Sequence, residues 1–231
     1  MINFNQRSYQ QELLDQPDIP TPDLIRNLKE LAFINTYLGG HNVTVKGLKK
    51  LLTEPTRTYH LIDIGCGGGD TLKYIARWGR KKGLSLQLTG VDLKADCIAY
   101  AQEHCKDYPE IDFIQADYRD VTHLQADVFT AALFCHHLPD DDLINLLRWM
   151  DTHAKVGFVI NDLHRHSLAY YSIRWLTRWF SRSYLVKNDA CLSVWRSFKK
   201  EDWRRYLAEV PSDKATITWQ WAFRWLVVGR Q

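Results

Sequence analysis

Residues 61–70 read LIDIGCGGGD. Glycines stand at 65, 67 and 69, every second position, behind Asp63 and an apolar run. A strand that ends this way and feeds a helix over 70–82 presents backbone N–H groups, unobstructed by side chains, to a bound ligand. Each glycine costs regular structure about 0.5–1 kcal/mol relative to alanine, and a simple tight turn needs no set of three. The nicotinamide fingerprint G-x-G-x-x-G fails from Gly65, because Asp70 takes its last position, and fails again from Gly67. No Gly-Lys-Ser/Thr follows, which excludes a P-loop. The pattern that fits is acidic-x-G-x-G-x-G: Asp63, Gly65, Gly67, Gly69.

Outward from this loop the chain alternates. YHLIDI, SLQLTGVD (85–92), IDFIQAD (111–117), DVFTAALF (127–134) and KVGFVIND (155–162) read as strands. Helices are predicted over 70–82, 94–107 and 140–151 between them. Repeated strand–helix–strand units give a parallel sheet with helices on both faces. Upstream, Thr21-Pro22 opens a helix with a stripe at Leu24, Leu28, Leu31, Ile34 and Leu38, which Gly39-Gly40 stops. A short helix is expected from Val45 to Leu52. After Asp162 the rhythm breaks into an aromatic, basic segment over 166–198 without strands, then a helix at 199–209 and closing strands near 214–221 and 222–229.

The loop resembles motif I of the class I S-adenosylmethionine methyltransferases, and the likeness continues in register. VDLK ends the second strand, where Asp92 would accept hydrogen bonds from both ribose hydroxyls. QADY ends the third, where Asp117 would face the adenine amino group with Tyr118 beside the ring. The fourth ends in LFCHHL, which in this family flanks the methyl group. The resemblance implies a cofactor set of Asp63, Gly65, Cys66, Gly67, Gly69, Asp92, Leu93, Asp117, Tyr118 and Phe134, with S-adenosylhomocysteine as product. It implies a Rossmann-like, seven-stranded, mostly parallel sheet with an antiparallel C-terminal hairpin, an N-terminal helical cap (1–55), and a methyltransferase domain (56–231) with a helical lid insertion over about 164–198. The stretches ELLDQPDIP, NLKELAFINTYLGG, NDLHRHSLAYY and LSVWRSF resemble bacterial methyltransferases found beside type III polyketide synthases, relatives of the ubiquinone/menaquinone enzymes. Those act on resorcinolic or quinol-like lipids in secondary metabolism.

The totals agree with such an enzyme. The 231 residues suffice for one sizeable α/β domain, and a net charge of +3 is too small to argue for nucleic acid. Five cysteines without a CxxC pair fit reduced thiols in a cytoplasm, and the N-terminus shows no apolar signal segment. Neither Asn/Asp-Pro-Pro-Tyr/Phe nor the Pro-Cys pair of nucleic-acid methylases occurs. Residues 167–206 hold nine Lys or Arg against three Asp or Glu, interleaved with Tyr170, Tyr171, Trp175, Trp179, Phe180, Tyr184, Trp195 and Phe198. Arg174, Arg178 and Arg182 lie four apart, and Leu168, Tyr171, Trp175 and Trp179 form another row. Such a segment reads as a helix packed on the core, as a lid over an apolar acceptor resting on anionic lipid, or as an RNA contact.

The expected activity is O-methylation of a phenol, resorcinol or quinol. The alternatives are C-methylation of a quinol, an RNA- or protein-modifying enzyme using the basic lid, and a binding protein that has lost catalysis. A phenol with pKa near ~10 needs help to ionise at neutral pH. Four histidines fall at strand ends, His136, His137, His164 and His166; His137 and His164 are the expected bases, with Asp162 orienting an imidazole. No metal is expected, since no two histidines have the i,i+4 spacing of a zinc helix.

Overall fold

The computed structural model describes residues 2–121, 123–211 and 214–231. Two helices come first, α1 (Thr21–Tyr37) and α2 (Gly40–Leu51). The alternating unit follows: β1 (Thr58–Ile64), α3 (Asp70–Lys82), β2 (Ser85–Asp92), α4 (Ala95–His104), β3 (Ile111–Gln115), β4 (Ala126–Ala132), α5 (Asp140–His153) and β5 (Ala154–Leu163). Then come α6 (Ser167–Phe180), α7 (Tyr184–Arg196), α8 (Lys200–Leu207), β6 (Thr216–Gln220) and β7 (Arg224–Arg230). One seven-stranded sheet runs β3-β2-β1-β4-β5-β7-β6, with β7 antiparallel to both neighbours and the pairs β1 to β5 parallel. The fold is the expected Rossmann-like α/β architecture. Strand order reverses between β1 and β4, so a crevice opens at the carboxyl ends of those strands, where ligands of such sheets bind.

Strand alternation divides the core in two. Along β1, Tyr59 and Leu61 pack with α2 and α3 through Leu48, Leu72 and Ile75. Ile62 and Ile64 face the other layer, built on Leu143 and Leu147 of α5 and Trp203 and Tyr206 of α8.

Two expectations need correction. Gly39 adopts φ +72° and ends α1 as expected, but α2 begins at once at Gly40 instead of Val45. This helix is also part of the sheet's own packing: a Cβ at Gly47 would collide with Val159 of β5, so the glycine lets α2 lie close on the sheet. The segment 1–55 therefore combines a capping helix, α1, with a core helix, α2. Second, the aromatic and basic segment forms two helices, α6 and α7, and α6 ends at Phe180, so Arg182 lies beyond the helix that carries Arg174 and Arg178. No helix among the described residues is long and apolar enough to cross a membrane.

Candidate active site

A cavity of about 600 Å³ lies at the carboxyl ends of β1, β2, β3 and β4. Its floor is the glycine loop. Gly65 (φ +69°) and Gly67 (φ +52°) take backbone conformations that side chains disfavour. A Cβ at Gly65 would strike the Phe134 ring. The Gly65 and Cys66 N–H groups donate to the Val91 carbonyl at 2.9 and 3.1 Å, tying the loop to β2. Asp92, at the end of β2, accepts from Gly67 N–H at 2.9 Å through Oδ2 and from Lys94 N–H at 3.0 Å through Oδ1. Asp63 is buried and accepts from the Thr130 hydroxyl at 2.5 Å; burial pushes its carboxyl up to about 7.

Of the expected cofactor residues, Asp63, Gly65, Cys66, Gly67, Asp92, Leu93, Asp117, Tyr118 and Phe134 line this cavity. Gly69 does not: it starts α3 with φ +74°, against Phe113 and Cys105. The Asp117 carboxylate is engaged by the Arg119 guanidinium at 2.6 and 3.0 Å, which holds it below its usual range. Tyr118 stands edge-on to Phe134 with ring centroids 5.9 Å apart.

A second, mostly apolar cavity of about 290 Å³ adjoins the first. Leu14, Leu31, Asn35, Leu133 and His137 line both. Leu133 has φ +55°, an uncommon conformation for leucine, just past the end of β4 where the two cavities meet. His137 Nδ1 lies 2.7 Å from Asp15 Oδ1, and His136 Nδ1 lies 2.8 Å from Asp162 Oδ1. The second nitrogens turn toward the Glu12 carboxylate, at 3.9 Å from His137 and 3.7 Å from His136. Burial pushes the Glu12 carboxyl up to about 7. For Asp15, burial is outweighed by the hydrogen bond to His137 and by Arg196, and its carboxyl falls to about 2.

His164 lines neither cavity. Successive residues of a strand point to opposite faces. Leu163 takes the cavity side, while His164 Nδ1 accepts from the Trp219 indole at 3.3 Å and its ring packs edge-on against Trp225. The two histidine pairs thus share a sheet edge without converging. The partner His137 has instead is the N-terminal segment carrying Glu12, Leu14 and Asp15, more than 120 residues away in sequence, and no local pattern announced it. That segment is held by the Asp189 carboxylate of α7, which accepts from Leu13 and Leu14 N–H at 2.9 Å each. Asn35 and Leu31 had a signal: they belong to the helix whose apolar stripe was readable.

Residues 61–157 match the family model described as a methyltransferase domain. That span is similar to a methyltransferase domain. The matched span runs from β1 into β5 and supplies most of the lining of the 600 Å³ cavity, to which Leu14, Asp15, Leu28, Leu31 and Asn35 add from outside it. The residues there fit the cofactor: the loop leaves room only glycine allows at 65, and an acidic residue stands at the end of β2. No curated protein matches the chain. Among solved structures, human N-acetylserotonin methyltransferase in complex with SAM is 16% identical, with TM-score 0.67, over 92% of this chain and 56% of that one. The CurJ carbon methyltransferase is 18% identical, with TM-score 0.60, over 83% and 53%. An O-methyltransferase family 2 protein from Planctomyces limnophilus, in complex with apigenin, is 11% identical, with TM-score 0.61, over 91% and 65%. These likenesses show a shared fold, and this chain spans between half and two thirds of the length of each.

Proposed function

We propose that the protein methylates a small lipophilic acceptor, a phenol, resorcinol or quinol, on oxygen. The observation that carries this is the apolar 290 Å³ cavity meeting the cofactor cavity at Leu133 and His137. S-adenosylmethionine, when bound, supplies an electrophilic methyl group and leaves as S-adenosylhomocysteine. The chain's own task is alignment and removal of the acceptor's proton. With Nδ1–H donated to Asp15, His137 keeps a lone pair on Nε2, which faces the Glu12 carboxylate at the wall of the second cavity. With the methyl donor bound, that nitrogen would take the phenolic proton and leave the acceptor oxygen nucleophilic. Asp15 orients the ring and stabilises the imidazolium, as a carboxylate beside a base histidine does. His164, whose ring lies outside both cavities, has no part in this step.

The kinship with polyketide-synthase-associated and quinone methyltransferases belongs to this reading, as do a cytoplasmic setting, secondary metabolism and peripheral contact with an anionic membrane through the basic aromatic helices. C-methylation of a quinol is the second reading, favoured by the likeness to a carbon methyltransferase. An RNA or protein acceptor finds less support, because the second cavity is small, about 290 Å³, and its accessible surface is mostly apolar. Incubating the protein with labelled S-adenosylmethionine and a panel of alkylresorcinols and quinols, followed by mass spectrometry, tests the proposal. Methylated phenolic oxygen is expected. Label on RNA or protein alone would replace the reading.

A further inference from the structure

The groove between α1 and α6 is a separate feature of about 730 Å³, open to the surface. Ile34, Leu38, Ile173 and Leu176 line both this groove and the second cavity, so the two are separated only by these side chains. Of the groove's lining side chains Tyr37 is 74% exposed and Phe180 82%; on the outer row of α6 Trp175 is 61% exposed and Trp179 69%. On α6 the inward positions are Ala169, Tyr170 and Thr177, which leaves the row Leu168, Tyr171, Trp175 and Trp179 facing out. Soluble surfaces rarely keep so much contiguous aromatic area without a partner.

The charges say which partner. Arg26 and Lys29 on α1, Arg174 and Arg178 on α6, and Arg182 just beyond it are exposed, and none makes an ion pair among the described residues. α6 contains no acidic residue. Glu30 of α1 is occupied: it accepts from the Ser181 hydroxyl at 2.5 Å and from Arg182 and Ser183 N–H at 2.9 and 3.1 Å, clamping the turn after α6 to α1. A second copy of the chain on this face would set the same cations against each other, since a two-fold contact pairs a patch with itself. Aromatic side chains ringed by arginine suit the boundary between headgroups and acyl chains of an anionic bilayer.

We propose that the α1–α6 face docks on an anionic lipid surface, with Trp175, Trp179 and Phe180 entering the headgroup–acyl boundary, and that the acceptor passes from the lipid along the groove to the cavity. The route presumes the lipophilic acceptor proposed above; the docking does not.

The test is flotation of the full chain with vesicles of phosphatidylcholine alone or mixed equally with phosphatidylglycerol. Binding to the anionic vesicles, weakened by salt, is expected. The triple change Arg174→Gln, Arg178→Gln, Arg182→Gln should weaken it about fivefold per arginine, roughly a hundredfold in all. The change Trp175→Ser, Trp179→Ser, Phe180→Ser should reduce it on the order of a hundredfold. S-adenosylmethionine affinity, read by calorimetry, confirms that both variants are folded. Absence of vesicle binding, equal binding to neutral vesicles, retention by RNA in preference to vesicles, or a stable dimer that Trp179→Glu converts to monomer each overturns the proposal. Flotation needs neither cofactor nor acceptor. Its failure leaves the methyl-transfer reading standing, and inactivity toward phenols leaves the docking standing.

Discussion

Replacing Asp92 by alanine probes the cofactor cavity without knowledge of the acceptor. Both carboxylate oxygens already accept a backbone N–H, from Gly67 at 2.9 Å and from Lys94 at 3.0 Å, and each keeps a lone pair for a ribose hydroxyl. Losing two hydrogen bonds to a charged acceptor, at about 1.5 kcal/mol each, removes about 3 kcal/mol of binding. That is roughly a hundredfold in Kd. The same change frees the Gly67 and Lys94 amides. Both are partly solvated, so the folded state should lose about 1–2 kcal/mol, a fall in Tm of about 2–8 °C for a chain of this size. Calorimetric titration with S-adenosylmethionine and S-adenosylhomocysteine measures the first effect and thermal unfolding the second. A folded Asp92→Ala protein that binds both ligands within about threefold of wild type would refute the assignment of this carboxylate to the ribose.

The remaining predictions follow from the same geometry. His137→Ala should lower kcat by roughly 10²-fold or more, with cofactor affinity little changed, and raising pH toward the phenol's own pKa should restore part of the rate. A wild-type rate inhibited by a chelator and restored by zinc would instead make Glu12, His136 and His137, whose ligand atoms lie within 4.8 Å of one another, a metal site. Gly65→Ala forces a side chain into positive φ and against Phe134, so S-adenosylmethionine affinity should fall at least about tenfold; calorimetry reads it. Burial, then His166 and Lys199, push the His164 imidazole down to about 4. The unfolded imidazole binds its proton near ~6.5, so between these values the unfolded chain holds more protons than the native one. The stability His164 contributes is therefore present above that unfolded value and lost as pH falls toward 4. His164→Gln should flatten the dependence of Tm on pH in that window, and an unchanged slope would dismiss the burial argument.

The sequence by itself determined the sheet and its cofactor edge. Strand and helix signals are local: alternation shows within five to eight residues, and a glycine loop with acidic strand ends is read from neighbours in the chain. Asp70–Lys82 and Ser85–Asp92 stand where the pattern put them, and Asp92 closes on the glycine loop because one strand–helix–strand unit joins the two. The acceptor side was decided only by the tertiary structure. Four histidines at strand ends look equivalent in sequence, yet strand pleating sends Leu163 to the cavity and His164 away from it. The partners of His137 come from an N-terminal segment that no periodicity marks, and Asp189 on a distant helix fixes its position. Likewise, the aromatic row of α6 reads in one dimension as a core stripe. Only the packing of Ala169, Tyr170 and Thr177 against the protein shows that the tryptophans face outward, because α6 has apolar residues on more than one face and its neighbours choose which is buried.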